Sequence, residues 1–205
     1  MTTKSGEYVE WNDTKKSICA AGVAIGLAHL HANNIIHRYM TSSNILLDEN
    51  MYPKIGGLGV SRFLPEGSDG INDIWEMVMD KRPPLCMAPE MFDESFGGYN
   101  LKVDVYAYGM FLYELATGAK PFKEKGELVR FNLRRYVVEG LRPTIPDYVS
   151  PMWADIIRQC WDEKPEKRPT MQEIVDRILA ESEDFVLECC DVDEFEDYIE
   201  MVKLK

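Results

Sequence analysis

With 205 residues, 45% of them apolar, the chain can bury one good core and falls in the size range of a single domain with a tail. A formal charge of -12 and a pI near 4.8 argue against nucleic acid or an anionic membrane surface as partner, because like charges would meet at the contact. The charge is uneven: residues 181–205 carry ten acidic side chains against Lys203 and Lys205, so the expected division is a domain over 1–180 and an acidic tail over 181–205.

In chain order, residues 13–32 place Ile18, Gly22, Ile25 and Ala28 at helical spacing with small residues between, which predicts a helix buried on much of its circumference and stopped by Asn33-Asn34. A short strand is expected over 34–38. Ile45-Leu46-Leu47, the polar Asp48-Glu49-Asn50 and Pro53-Lys54-Ile55 predict a small hairpin, followed by irregular chain over 56–89. Residues 101–117 predict a second deeply buried helix, ended by Gly118. Ser150-Pro151 opens another, with proline at the first helical position, and Thr170 with Glu173 makes a capping box in front of Ile174 and Ile178. In the tail, Phe195, Tyr198, Ile199 and Val202 share a helical face, with acidic residues ahead and Lys203 and Lys205 behind, as the helix dipole favours. That helix can pack back on its own lobe or dock on a partner.

The five cysteines, Cys19, Cys86, Cys160, Cys189 and Cys190, are odd in number and lack a C-x-x-C pair, so reduced thiols are expected. The longest apolar run, 18–30, is too short to span a bilayer and no signal pattern opens the chain, so a soluble cytoplasmic protein is expected. Asn12-Asp13-Thr14 has the glycosylation spelling but reads as a helix start.

Five stretches stand in a telling order: His37-Arg38-Tyr39-Met40-Thr41-Ser42-Ser43-Asn44, Lys54-Ile55-Gly56-Gly57-Leu58-Gly59, Ala88-Pro89-Glu90, Asp104-Val105-Tyr106-Ala107-Tyr108-Gly109, and Cys160-Trp161 through Arg168-Pro169. Together they resemble the C-terminal lobe of a protein kinase of the tyrosine-kinase-like branch, over residues 10–180. The resemblance implies a mainly α fold, a helical bundle with a small β-hairpin at the former catalytic cleft and no N-terminal β lobe. It also assigns the stretches to the H-R-D-x-x-x-x-N catalytic loop, the D-F-G metal loop, the A-P-E segment end, the central helix and the closing helices.

The departures are as specific as the matches. Kinase chemistry needs a carboxylate to accept the substrate hydroxyl proton, and that slot holds Tyr39, a phenol that donates a proton at neutral pH. The metal-binding aspartate's place is taken by Gly57, and Thr41 stands where a lysine would touch the transferred phosphate. Asn44 alone cannot hold a Mg²⁺ ion. Among the retained positions the resemblance implies structural roles: Asp104 as acceptor for the catalytic-loop backbone, Glu90 with Arg168 as a buried ion pair, and His37 packed under the metal loop. Arg38 is expected either to clamp a phosphorylated Ser61 or Ser68 or to stand as a surface or backbone-bonded arginine. His29, His31 and His37 lie close in sequence, but no cysteine or carboxylate completes a ligand set, so no metal site is expected.

On these grounds the expected function is a pseudokinase, not an enzyme: a protein-interaction or scaffold module in intracellular signalling, without cofactor. The competing reading is an ATP- and Mg²⁺-dependent protein kinase, acting on serine, threonine or tyrosine, whose N-terminal lobe is missing from this chain. A lobe without its roof would expose Ile36, Met40, Leu46 and Leu58, and that face is expected to bind another protein or a second copy of the chain.

Overall fold

Helix α1 (Asp13–Ala32) starts where the Asn12 side chain accepts a 2.9 Å hydrogen bond from the Lys15 amide, and it ends at Asn33, followed by a left-handed Asn34. Its middle, from Ser17 to Ala24, is buried on every side, so α1 is the axis about which the rest is arranged. The computed structural model describes residues 11–68, 70–71, 85–92, 97–126 and 132–203.

After α1 the chain makes β1 (Ile35–Ile36), then a single 3₁₀ turn at Ser42–Asn44, then β2 (Ile45–Leu47) and β3 (Pro53–Ile55). The β2–β3 hairpin pairs Ile45 with Ile55 and Leu47 with Pro53, in the place the alternating pattern predicts. Strand β1 is shorter than the expected 34–38 and pairs with β4 (Arg62–Phe63), which no sequence pattern announced because Phe63 points to solvent. The part of the irregular stretch over 72–84 lies outside the described residues, as does Lys205.

The second buried helix, α2 (Lys102–Thr117), is apolar nearly all round and closes on left-handed Gly118. It packs on α1 and on α4 (Pro151–Cys160), whose N-cap Ser150 accepts from the Trp153 amide. A short α3 (Leu133–Val138), not foreseen, precedes α4. The predicted capping box is present at the start of α5 (Met171–Ala180), which lies along α1. The architecture is thus mainly helical, with two small β-ribbons among the described residues.

The tail forms α6 (Ser182–Phe185) and α7 (Val192–Lys203). Phe185 stacks between Trp153 and Phe195, with ring centroids 5.6 and 6.1 Å away, while the Trp153 Nε1–H donates to its carbonyl. The Asp191 amide donates to Thr14 Oγ1 and the Leu187 amide to Ser17 Oγ, fastening the tail to α1. Tyr198 is buried, its ring 4.8 Å from Tyr52 and its hydroxyl seated over Gly22, where no Cβ fits.

The expected open face needs correction. Ile36 and Met40 are fully buried, at 0% exposure, because β1 is roofed by β4 and Met40 turns under its own loop into the core. Leu46 and Leu58 do stand out, at 56% and 47% exposure, together with Phe63. Among the described residues no helix is long and apolar enough to cross a membrane.

Candidate functional site

The site is built around one buried carboxylate. Asp104, in the first turn of α2, is wholly buried and accepts hydrogen bonds from the backbone amides of His37 (2.7 Å, to Oδ2) and Arg38 (2.8 Å, to Oδ1). His31 Nε2, at the end of α1, lies 3.0 Å from Oδ2. These contacts satisfy two amides that the left-handed turn at Arg38 takes out of any ladder, and they spread the anionic charge over three donors. His37 is buried, and its Nε2 reaches the Gly56 carbonyl at 2.8 Å, so the loop from 37 to 44 and the strand end at 55–57 are tied through a single imidazole.

Arg38 is not on the surface. It is buried and donates from Nη1 to the Tyr99 hydroxyl at 2.9 Å. Ser61 and Ser68 instead donate to the carbonyls of Leu58 and Gly70. A second buried frame lies behind the first: Arg168 meets both carboxylate oxygens of Glu90, at 2.5 and 2.9 Å, and also donates to the carbonyls of Asp162 and Lys102. Tyr106 lies under both Arg168 and Arg142, each 5.1 Å from its ring, and burial pushes its phenol well above the ordinary range.

The lip of the loop differs in kind. Tyr39 projects outward at 37% exposure. Asn44 Nδ2 donates to the Tyr39 carbonyl at 2.7 Å, bracing the loop across its width, and the Gly56 amide donates to the Asn44 carbonyl. Thr41 Oγ1 and Ser43 Oγ share a 2.7 Å hydrogen bond. Gly57 is left-handed, with φ +79°, and faces the Asn44 side chain. The structure therefore brings His37, Arg38, Tyr39, Asn44, Gly57 and Asp104 into one unit, with Glu90 and Arg168 forming the separate frame behind it.

Several partners escaped sequence reasoning: His31 beside Asp104, Tyr99 beside Arg38, and the Ser42–Glu114–Lys120 cluster, in which Lys120 Nζ lies 2.8 Å from Ser42 Oγ. Apart from Glu114 and Lys120, six positions apart, these contacts join residues more than sixty positions apart, and only His31, next to the end of α1, carried a local signal. The three buried thiols, Cys19, Cys86 and Cys160, are each pushed up to about 12 by burial, which keeps them protonated and unreactive. Among the described residues no group of three or more His, Cys, Asp or Glu side chains gathers as a metal site.

The family model described as protein tyrosine and serine/threonine kinase matches residues 8–178. The chain belongs to the protein kinase family. It is 33% identical over 184 residues to the dual specificity protein kinase shkA of Dictyostelium discoideum, covering 86% of this chain and 32% of that protein. It is 31% identical over 171 residues to shkB of the same organism, covering 80% and 24%, and 33% identical over 159 residues to a serine/threonine-protein kinase of Arabidopsis thaliana, covering 78% and 26%. These relatives are compatible with the tyrosine-kinase-like branch. The chain spans only between 9% and 32% of the length of the curated relatives it matches.

These kinase relatives overturn the expectation that the chain is not an enzyme, since proteins similar to most of its length are named as serine/threonine or dual specificity kinases. The physical reason for the error is the weight placed on two side chains. Phosphoryl transfer asks little covalent chemistry of the protein and depends chiefly on positioning and electrostatics, so a missing base lowers a rate without abolishing it.

Kinases of this fold work with Mg²⁺ and ATP, and the loop can be tested for a metal. A Cβ on Gly57 would come within 2.5 Å of Asn44 Cγ, and Gly57 itself offers no carboxylate. Asn44 supplies one neutral side-chain oxygen, whereas Mg²⁺ in such sites is held by one or two carboxylates together with waters and substrate phosphates. The residues at these two positions do not fit a protein-built Mg²⁺ site.

Proposed function

We propose that this chain is the substrate-side lobe of an ATP-dependent protein kinase directed at serine or threonine hydroxyls. The observation that carries the reading is the intact support of the loop from 37 to 44: Asp104 holds its backbone at two amides, His37 ties it to Gly56, and Asn44 braces Tyr39. A loop so held presents a fixed edge at which an acceptor hydroxyl can be oriented, and orientation is worth a large part of a phosphoryl-transfer barrier. The relatives named as serine/threonine or dual specificity kinases support the same direction.

In this reading the terminal phosphoryl group of ATP passes to the acceptor oxygen, ADP leaves, and the hydroxyl proton is lost to phosphoryl oxygen or water because position 39 offers no carboxylate. Tyr39 can hydrogen-bond the incoming hydroxyl from the lip. The exposed Leu46 and Leu58 form the face that an ATP-gripping lobe would cover. The substitution at position 39 makes turnover slow, by about 10² to 10⁴ relative to a carboxylate base.

Transfer of labelled phosphate from ATP to a mixed serine/threonine substrate protein tests the reading. Low incorporation that disappears in Asn44→Ala and rises in Tyr39→Asp is the expected result. Incorporation that stays at background in the chain and in Tyr39→Asp alike, assayed with an ATP-binding kinase lobe supplied, would defeat it.

A further inference from the structure

Residues 182–203 lie beyond the span that the kinase family model matches, yet they are fastened to the lobe at specific points. The amides of Leu187, Cys189 and Asp191 donate to side-chain oxygens of Ser17 (3.1 Å), Asp13 (3.3 Å) and Thr14 (2.8 Å), all in the first two turns of α1. Phe185, Phe195, Tyr198 and Ile199 are buried, so packing holds the tail where these bonds place it. Helix α7 thereby reaches the β2–β3 hairpin. The Tyr198 ring meets that of Tyr52 at 4.8 Å, a separation at which aromatic pairs attract, and Pro53, the first residue of β3, stands with Tyr198 over Gly22 of α1. The far end of the hairpin is the loop itself. Strand β2 begins directly after Asn44 and β3 ends directly before Gly56, Ile45 pairs with Ile55, and the Gly56 amide donates to the Asn44 carbonyl at 2.8 Å. Its turn is closed by the Tyr52 amide on Asp48 Oδ1 and the Asp48 amide on the Tyr52 carbonyl. A two-stranded hairpin is marginal in water, so its rigidity comes from what it packs against, here α1 and, at the turn, α7.

We propose that the tail is a brace for the loop from 37 to 44 and that Tyr198 is a positioning residue. Helix α7 clamps the turn of the hairpin on α1, and the stiffness set there passes along the β2–β3 ladder to Asn44 and Gly56. From Pro53 to Ile55 the path is two strand steps, roughly 7 Å. Tyr198 acts through Tyr52, at the opposite end of the hairpin from the residues it steadies. The proposal rests on the kinase reading for what the loop does, but not for how the loop is held.

Amide hydrogen exchange of the full chain, read residue by residue, tests the brace in Tyr198→Ala, Tyr198→Phe and Tyr52→Ala beside the parent. The amides of Asn44 and Gly56 donate to the carbonyls of Thr41 and Asn44 and so report on the loop. In Tyr198→Ala these two are expected to exchange at least about tenfold faster, while amides in the middle of α2 keep the parent rate. Tyr198→Phe keeps the ring on Tyr52 and is expected to restore slow exchange. Tyr52→Ala removes the other half of the contact and is expected to reproduce the loosening with α7 still seated. Unchanged rates at Asn44 and Gly56 would overturn the proposal, as would an equal rise throughout α2, which marks a loss of global stability and no more. Exchange in Tyr198→Phe as fast as in Tyr198→Ala would overturn it too, since the ring contact would then not be what steadies the loop. Should Tyr198→Ala not fold, Tyr52→Ala carries the same comparison. No phosphate is transferred in any of these measurements, so failure of the brace and failure of the kinase reading are distinguishable.

Discussion

The frame behind the site and the lip in front of it follow opposite rules. Beneath the loop and behind it, Asp104, Glu90 and Arg168 are charges taken wholly out of water: Asp104 is met by two backbone amides, and Glu90 by two nitrogens of Arg168. In front, Tyr39, Thr41, Asn44 and Gly57 are neutral, and the apolar groups beside them, Leu46 and Leu58, stand in solvent. A buried charge cannot be altered without leaving its partner stranded, whereas a lip residue can change with little effect on folding. The difference teaches that retention of the frame reports on the fold, while chemistry is decided at the lip.

The largest expected effect tests the frame directly. Arg168→Ala leaves the Glu90 carboxylate buried without its bidentate partner and should destabilise the chain by about 3–5 kcal/mol, read from chemical denaturation. A loss below about 1 kcal/mol would mean that the frame is not held as described. Replacing Asp104 with alanine comes next. It strands the amides of His37 and Arg38, at about 1–3 kcal/mol for each buried group left unpaired, and should also raise hydrogen exchange at residues 37–44.

How far these two regions were legible in the sequence differs for a physical reason. Helix α1, the β2–β3 hairpin, α2 and the capping box of α5 were readable because their signals are local: apolar spacing, Asn12, Gly118, Thr170 with Glu173. Asp104, Glu90 and Arg168 were readable only through the order of motifs. The error over Ile36 and Met40 arose because the roof of β1 comes from β4, twenty-six residues downstream, whose exposed Phe63 gives no alternating pattern.

A smaller effect comes from the exposed capping box, a charged contact outside both regions. Hydrogen bonds from the Thr170 backbone and hydroxyl hold the Glu173 carboxyl below its ordinary range. A depressed carboxyl contributes stability above the unfolded glutamate value and loses it as pH falls through the folded one. Glu173→Gln should therefore unfold more easily than the parent near neutral pH, with the difference shrinking as pH drops below about 4. A gap that stays constant or widens in acid would contradict the hydrogen-bonded carboxylate. Thr170→Ala, which removes the cap itself, should cost about 1 kcal/mol.

The smallest expected effect belongs to the lip and sharpens the contrast most. Leu46→Ser and Leu58→Ser remove side chains that are about half exposed and lie outside the buried core, so each should change stability by no more than about 0.5 kcal/mol. If either costs as much as Arg168→Ala, the lip is packed in solution and the division between frame and lip fails. If both are near neutral yet Leu58→Ser lowers phosphate transfer, stability and activity will have separated at one side chain. That separation is what a face serving contact with an ATP-gripping lobe requires, because its apolar area is buried only in the working assembly and not in the fold of this lobe.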